Sequence, residues 1–222
     1  MHPAATRHLR QRDPCLGEWI ERIGLIELPV RPPCEPYLAL LESIAHQQLA
    51  GAAARAIWGR VLELFEGTPS PARLIALSDE RLRAAGLSRS KTLSMRDIAA
   101  KALAGALPDA ARIEVMPEAE LYEQLTQIRG VGPWTVDMLM IFTLRRPDVM
   151  PVTDYGVRKG FQALYRKRAM PSPKQVLQAA ERWRPHRTTA ALYLWQIAAK
   201  NQADLKPVRS RRRLPRTAGE KA

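Results

Sequence analysis

Leu125-Thr126-Gln127-Ile128-Arg129-Gly130-Val131-Gly132-Pro133-Trp134-Thr135 is the stretch on which the reading of this chain turns. It sets two glycines between segments of helical apolar spacing, with a proline suited to the first turn of the second helix. Glycine lets the backbone approach a partner without an intervening Cβ, and the free amides of a starting helix favour an anion such as a phosphate. Two readings stand at this point: Gly130 ends a helix and Gly132 relieves crowding, or the pair forms a phosphate clamp. A dinucleotide-binding turn does not fit, because no strand precedes the glycines and no third glycine follows at the required spacing.

On both sides of this hairpin the pattern is helical. Alanine and leucine dominate, alternating β-branched and aromatic runs are missing, and apolar positions recur at helical spacing. The spacing predicts helices over 37–45, 52–65, 71–77, 79–85, 93–103, 118–128, 134–143, 154–165, 174–183 and 188–200. Ser78 is a cap, Gly67 and Gly86 are stops, and a loop surrounds Pro108. Gln47, Gln48 and Gly51 interrupt the first two helices, either as a turn or as a polar stretch within one long helix. The fold class is all-α. An N-terminal segment over 1–36, a helical domain over 37–205 and a mobile basic tail over 206–222 are expected.

The formal charge of +13 is unevenly placed: residues 155–222 hold 17 Lys and Arg against 3 acidic residues, and residues 1–154 hold 18 against 19. Phosphate backbones reward such asymmetry, as do acidic proteins and anionic membrane surfaces. RNA binding is favoured by charge alone, since no RNA-recognition sheet motif is visible. Only two cysteines occur, Cys15 and Cys34, without a C-x-x-C pair, which points to a reduced, intracellular chain. No segment approaches about 20 uninterrupted apolar residues, so no membrane partner is expected. The expected location is the bacterial cytoplasm or nucleoid.

The hairpin and its surroundings closely resemble the helix-hairpin-helix of base-excision DNA glycosylases, and more specifically the DNA-3-methyladenine glycosylase II (bacterial alkyladenine glycosylase) family. Three further blocks carry the resemblance: Ser43–Ile44–Ala45–His46–Gln47–Gln48, Leu87 to Lys91, and Glu181–Arg182–Trp183–Arg184–Pro185–His186–Arg187. It implies two helical lobes with a central cleft, and a monomer acting on double-stranded DNA that contains alkylated bases. The chain begins close to its first matched helix, so the strand-rich N-terminal domain of longer bacterial relatives is not expected. The rival reading from another class is a non-catalytic helix-hairpin-helix DNA-binding protein.

The resemblance places the catalytic carboxylate at Asp154, in Pro151-Val152-Thr153-Asp154-Tyr155. Scission of an N-glycosidic bond builds positive charge on the sugar, which a fixed anion stabilises. Taken without the resemblance, Asp154 is a helix N-cap, or Thr153 caps in its place. Asp137 is the nearest competing acid and reads as structural or cleft-lining; Asp148 is expected to be exposed. Family members that also cleave the strand carry a lysine where this chain has Trp134, so a monofunctional enzyme is implied. The four clustered cysteines of the iron–sulphur branch have no counterpart.

By the same resemblance Trp134, Met138 and Trp195 form the base pocket, with Met138 in place of a family tyrosine. Tyr155, Trp183 and Tyr193 are read as core or supporting groups. Gln48, helped by Gln47, aligns with the wedge that fills the gap left by a flipped nucleotide; both also fit exposed helix polarity. Gly130, Val131 and Gly132 are expected on phosphate, with Arg158 and Lys159. Arg184 and Arg187 either reach DNA or brace Trp183. No organic cofactor is expected, and the backbone carbonyls of Gln127, Ile128 and Gly130 are candidates for a Na⁺ or K⁺ ion.

Overall fold

A computed structural model describes residues 3–26, 35–49, 51–65 and 68–204, with side chains described as far as residue 200. The expected Gly67 stop, the environment of Cys34 and the tail over 206–222 lie outside the described residues. Among those described, helices alone form the regular structure: α1 (Pro3–Arg12), α2 (Pro14–Ile23), α3 (Pro36–His46), α4 (Gly51–Glu63), α5 (Pro71–Ala76), α6 (Asp79–Ala84) and α7 (Arg89–Leu103) come first. They are followed by α8 (Ala110–Val115), α9 (Glu118–Leu125), α10 (Pro133–Met138), α11 (Tyr155–Leu164), α12 (Pro173–Ala180) and α13 (Arg187–Asp204). No described helix is long and apolar enough to cross a membrane.

Side-chain caps set many of the starts. Ser70, Ser78, Ser88, Asp109 and Ser172 each accept the backbone N–H three residues on, and Ser172 forms a reciprocal capping box with Gln175. Gln48 has φ 57, which breaks the chain into a turn between α3 and α4 and settles the alternative of one long helix. The helix expected over 134–143 is α-helical only to Met138 and continues as a π-turn over Leu139–Thr143, where Leu144 N donates to Leu139 O at 3.0 Å. Such widened turns cluster at functional sites.

Two apolar cores divide the molecule. The first joins α3, α7, α9 and α10 through Leu40, Leu41, Ile44, Met95, Ile98, Leu121 and Val136. The second joins α11 and α13 to α1 and α2 through Leu9, Leu16, Val157, Phe161, Trp183 and Leu194. Trp195 packs against both. Each fully buried leucine contributes about 1.5–3 kcal/mol, so α1 and α2, which fall within the expected N-terminal segment over 1–36, pack as part of the second lobe. Buried Asp13 fixes them there: it caps α2 through Leu16 N at 3.1 Å and accepts Trp183 Nε1 at 3.0 Å and the Tyr165 hydroxyl.

Asp148 also departs from expectation. It is partly buried, accepting Arg187 Nε at 2.9 Å and Arg184 Nη1 at 3.0 Å, so both arginines grip the loop before Asp154.

Candidate active site

The lobes meet at Asp154. Its backbone is extended (φ −65, ψ 128), and its side chain caps α11 through Val157 N at 2.7 Å. The same Oδ1 accepts the Trp195 indole N–H at 2.7 Å, and Oδ2 accepts the Trp134 indole N–H at 2.8 Å. Asp154, not Thr153, is therefore the cap, and both carboxylate oxygens carry charge-assisted bonds that fix their direction. Trp134 comes from the first lobe and Trp195 from the second. Gly156 makes the approach possible, since a Cβ there would lie 2.7 Å from Trp195 Cδ1.

Behind this clamp stands Asp137, only 5% exposed, which accepts the Tyr122 hydroxyl at 2.5 Å. Burial raises its pKa to about 6, against the Tyr122 bond, which lowers it, and with the Asp154 charge adding to the rise. Burial first, and then the Asp137 contact, raises the Tyr122 phenol.

On the other face of α10 a cavity of about 330 Å³ is lined by Trp134, Met138, Phe142, Leu49, Glu42 and His46, among others. Trp134 thus faces the cavity while its Nε1 holds Asp154. Trp195 does not line this cavity; it stacks behind Phe142, with ring centroids 5.6 Å apart. Tyr155, read as core or supporting, is 63% exposed beside the carboxylate, whereas Trp183 and Tyr193 are fully buried.

The hairpin departs from expectation in one respect. Gly130 has φ 76, and a Cβ there would fall on Ser94 Oγ, so this glycine is required by conformation and packing together. Gly132 starts α10 in extended geometry, and a Cβ there meets nothing within 4 Å. Its surroundings are open, not crowded. Val131 is buried and its N–H donates to Ile128 O at 3.0 Å, so it anchors the hairpin and its amide is not free for phosphate. The Gly130 carbonyl accepts Gln47 Nε2 at 2.9 Å. A carbonyl keeps a second lone pair, so the neutral oxygens of Gln127, Ile128 and Gly130 still fit an alkali cation.

Gln47 also donates to Thr135 Oγ1 at 3.0 Å, which makes it a brace between the α3–α4 turn and the hairpin, not a wedge. Gln48 is exposed at the tip of that turn. Next to it Leu49, which sequence reasoning passed over, is 39% exposed and lines the cavity. Lys91, noted only as part of a block, donates to the Ala45 and Gln47 carbonyls at 2.9 and 2.8 Å and so closes the end of α3; burial lowers its pKa. Arg158 and Lys159 are half-buried on α11, and Arg158 Nε is committed to Pro171 O at 2.9 Å.

Comparison with known proteins agrees with this geometry. A family model described as HhH-GPD superfamily base excision DNA repair protein matches residues 41–185. DNA-3-methyladenine glycosylase 1 of Schizosaccharomyces pombe is 39% identical over 180 residues, covering 80% of this chain and 78% of that protein. The solved structure of the S. pombe 3-methyladenine DNA glycosylase Mag1 in complex with abasic DNA superposes with a TM-score of 0.83 at 37% identity, covering 87% of this chain and 95% of that one. A DNA-3-methyladenine glycosidase from Bacillus halodurans gives 0.77 at 35% identity, covering 91% and 92%. With two lobes closing on a clamped aspartate one helix beyond the hairpin, this chain belongs to the HhH-GPD superfamily of base excision DNA repair proteins.

Proposed function

We propose that this protein is a monofunctional DNA glycosylase that hydrolyses the N-glycosidic bond of alkylated bases in double-stranded DNA and leaves an abasic site. The observation that carries the reading is the Asp154 carboxylate, held by Trp134 and Trp195, with the Trp134 ring forming the wall of the apolar cavity. The names of the relatives support an alkylated base as substrate.

In this mechanism the damaged nucleotide leaves the stack and its base enters the cavity against Trp134, Met138 and Phe142. The α3–α4 turn, with Gln48 at its tip and Leu49 beside it, fills the gap in the duplex. The hairpin amides around Gly132 hold a backbone phosphate, which sets C1′ beside Asp154. As the C1′–N bond breaks, its electron pair leaves with the base and the sugar becomes an oxocarbenium ion. Asp154 stabilises that charge and directs the water that captures it. An alkylated cationic base leaves without a separate general acid, and the electron-rich indole favours its charge. The backbone carbonyls of Gln127, Ile128 and Gly130 would hold a Na⁺ or K⁺, which would supply positive charge to attract a phosphate.

Trp134 has no amine with which to form an imine, so strand cleavage is not part of the reaction. Substrates on this reading are 3-methyladenine and 7-methylguanine, extending to 1-methyladenine and 3-methylcytosine because Met138 forms an adaptable wall. The site is complete within one chain, which supports a monomer, acting in the cytoplasm or nucleoid.

The test is incubation with methylated duplex DNA, followed by separate measurement of free base and of strand breaks. Free base should appear while strands stay intact until hot alkali is added. Borohydride trapping of a covalent protein–DNA species would defeat the monofunctional assignment, and absence of any released base would defeat the enzyme.

A further inference from the structure

The cavity has a polar edge that the chemistry at Asp154 does not use. It is formed by α3, whose Glu42, Ser43 and His46 line the same cavity as Trp134 and Met138. The His46 ring is oriented by its own helix, with Nδ1 2.8 Å from the Glu42 carbonyl oxygen one turn earlier. A carbonyl can only accept, so Nδ1 carries the hydrogen, and in the neutral imidazole Nε2 is left as an acceptor. The tautomer is thus set by the fold and not by the ligand.

We propose that His46 is a specificity-determining residue, its Nε2 lone pair accepting a hydrogen bond from the amine at C6 of an extruded adenine lesion, the equivalent of the C4 amine of cytosine. This rests on the glycosylase reading above. Adenine derivatives carry an amine at C6, as cytosine derivatives do at C4, where guanine derivatives carry a carbonyl oxygen and have their own amine at C2, at the far end of the edge. The amine satisfies Nε2, whereas the carbonyl sets one lone pair against another. Trp134, Met138 and Phe142 grip any flat cation of suitable size, because stacking and dispersion are blind to edge chemistry. His46 adds the direction those walls lack, so the cavity favours lesions with the amine at that position, such as 3-methyladenine, over 7-methylguanine. An imidazole that served only to close the end of α3 would need Nδ1 alone and would leave lesion choice untouched.

The experiment uses DNA treated with a methylating agent, which carries both lesions in one tube. The full chain in excess is incubated with it at pH 8, and both released bases are followed against time by chromatography. The ratio of the two rates does not depend on the fraction of folded protein, so a poorly folding variant still reports. His46→Leu, which keeps bulk and removes the acceptor, should lower the 3-methyladenine to 7-methylguanine ratio about tenfold, the scale of one unsatisfied hydrogen bond. His46→Gln restores an acceptor and should return the ratio to within about threefold of the wild type. An unchanged ratio in His46→Leu overturns the proposal, as does a Gln variant no better than Leu. Wild-type protein that releases neither base overturns the glycosylase reading itself, a result distinct from either.

Discussion

The two lobes supply unlike things to one site. The first lobe, closed by α3, α7, α9 and α10, provides the cavity, whose walls are built from residues between Ala39 and Thr143. The second, closed by α1, α2, α11 and α13, provides Asp154 and Trp195 and only touches the cavity from behind Phe142. On the proposed reading selection and scission fall to separate pieces of structure, joined through two indole hydrogen bonds to one carboxylate. Damage to the second lobe should slow every substrate alike, and damage to the first should change which substrate is preferred.

The strongest test of that division is Asp154→Asn. The amide keeps one oxygen, so the cap on Val157 N survives, but its NH₂ group now confronts an indole N–H that needs an acceptor. Lost charge and lost orientation act together. Excision should fall by about 3–4 kcal/mol, a factor of several hundred, for all lesions in parallel. Circular dichroism and affinity for undamaged duplex should stay near wild type. A rate within threefold of wild type would remove Asp154 from the chemistry.

Next in size is Gly160→Ala, which attacks the second lobe without touching the site. A Cβ at Gly160 would fall on the Leu194 carbonyl oxygen, so α11 and α13 are in backbone contact at this point. Backbone cannot rotate away as a side chain can, so the helices must separate. A loss of about 3 kcal/mol in chemical denaturation is expected. Because α11 begins at Asp154 and α13 carries Trp195, the folded fraction should also lose activity, while its 3-methyladenine to 7-methylguanine ratio holds. A shifted ratio would show that the lobes are not separable.

Asp137 gives a pH-dependent test of the joint between them. Its pKa of about 6 in the folded protein lies above its ordinary 3.8, so the native state binds more protons than the unfolded chain between those values. Stability from this group is present in full below pH 3.8 and is lost as pH rises through about 6. Asp137→Asn keeps an acceptor for Tyr122 and never ionises. The variant should be more stable than wild type by about 2 kcal/mol at pH 8, with the gain shrinking to nothing near pH 4. An equal difference at both pH values would mean that ionisation of Asp137 is not what costs the native state.

What could be read from the sequence divides along the same line as the lobes. In the first, the hairpin and the helices around it follow from local signals, namely glycine, proline, serine caps and short-range apolar spacing, whereas Trp134 and Met138 stand out only by family likeness. The second closes through contacts remote in sequence, Asp13 to Trp183 and Tyr165, so α1 and α2 were not expected and residues 1–36 read only as an N-terminal segment. A readable sign was there, because Asp13-Pro14 is a cap followed by a first-turn proline. Asp154 was identified by family likeness, but its two indole donors were not, since nothing in the spacing of Trp134 and Trp195 says where their N–H groups point. The roles expected of Gln47 and Val131 were displaced for a related reason. Polarity or position beside a glycine does not reveal that a side chain or an amide already has a partner within the fold.

The smallest effect separates the two hairpin glycines, which looked alike in sequence. Gly130 has left-handed geometry and packs on Ser94, so alanine there strains the fold, and any loss of DNA binding would be confounded by instability. Gly132 has no such constraint: its φ of −101 suits any residue, and nothing in the protein meets its Cβ. If the backbone at Gly132 lies against a phosphate, the added methyl group intrudes only when DNA is bound. Gly132→Ala should then leave thermal stability unchanged and weaken binding by about 1 kcal/mol, roughly fivefold, for damaged and undamaged duplex equally, because both present the same phosphate. Excision at saturating enzyme should be unaffected, since Asp154 and the cavity are untouched. Affinity for both duplexes equal to wild type would place Gly132 outside the interface, and weakening confined to damaged DNA would tie this glycine to the base-binding lobe instead of the phosphate backbone.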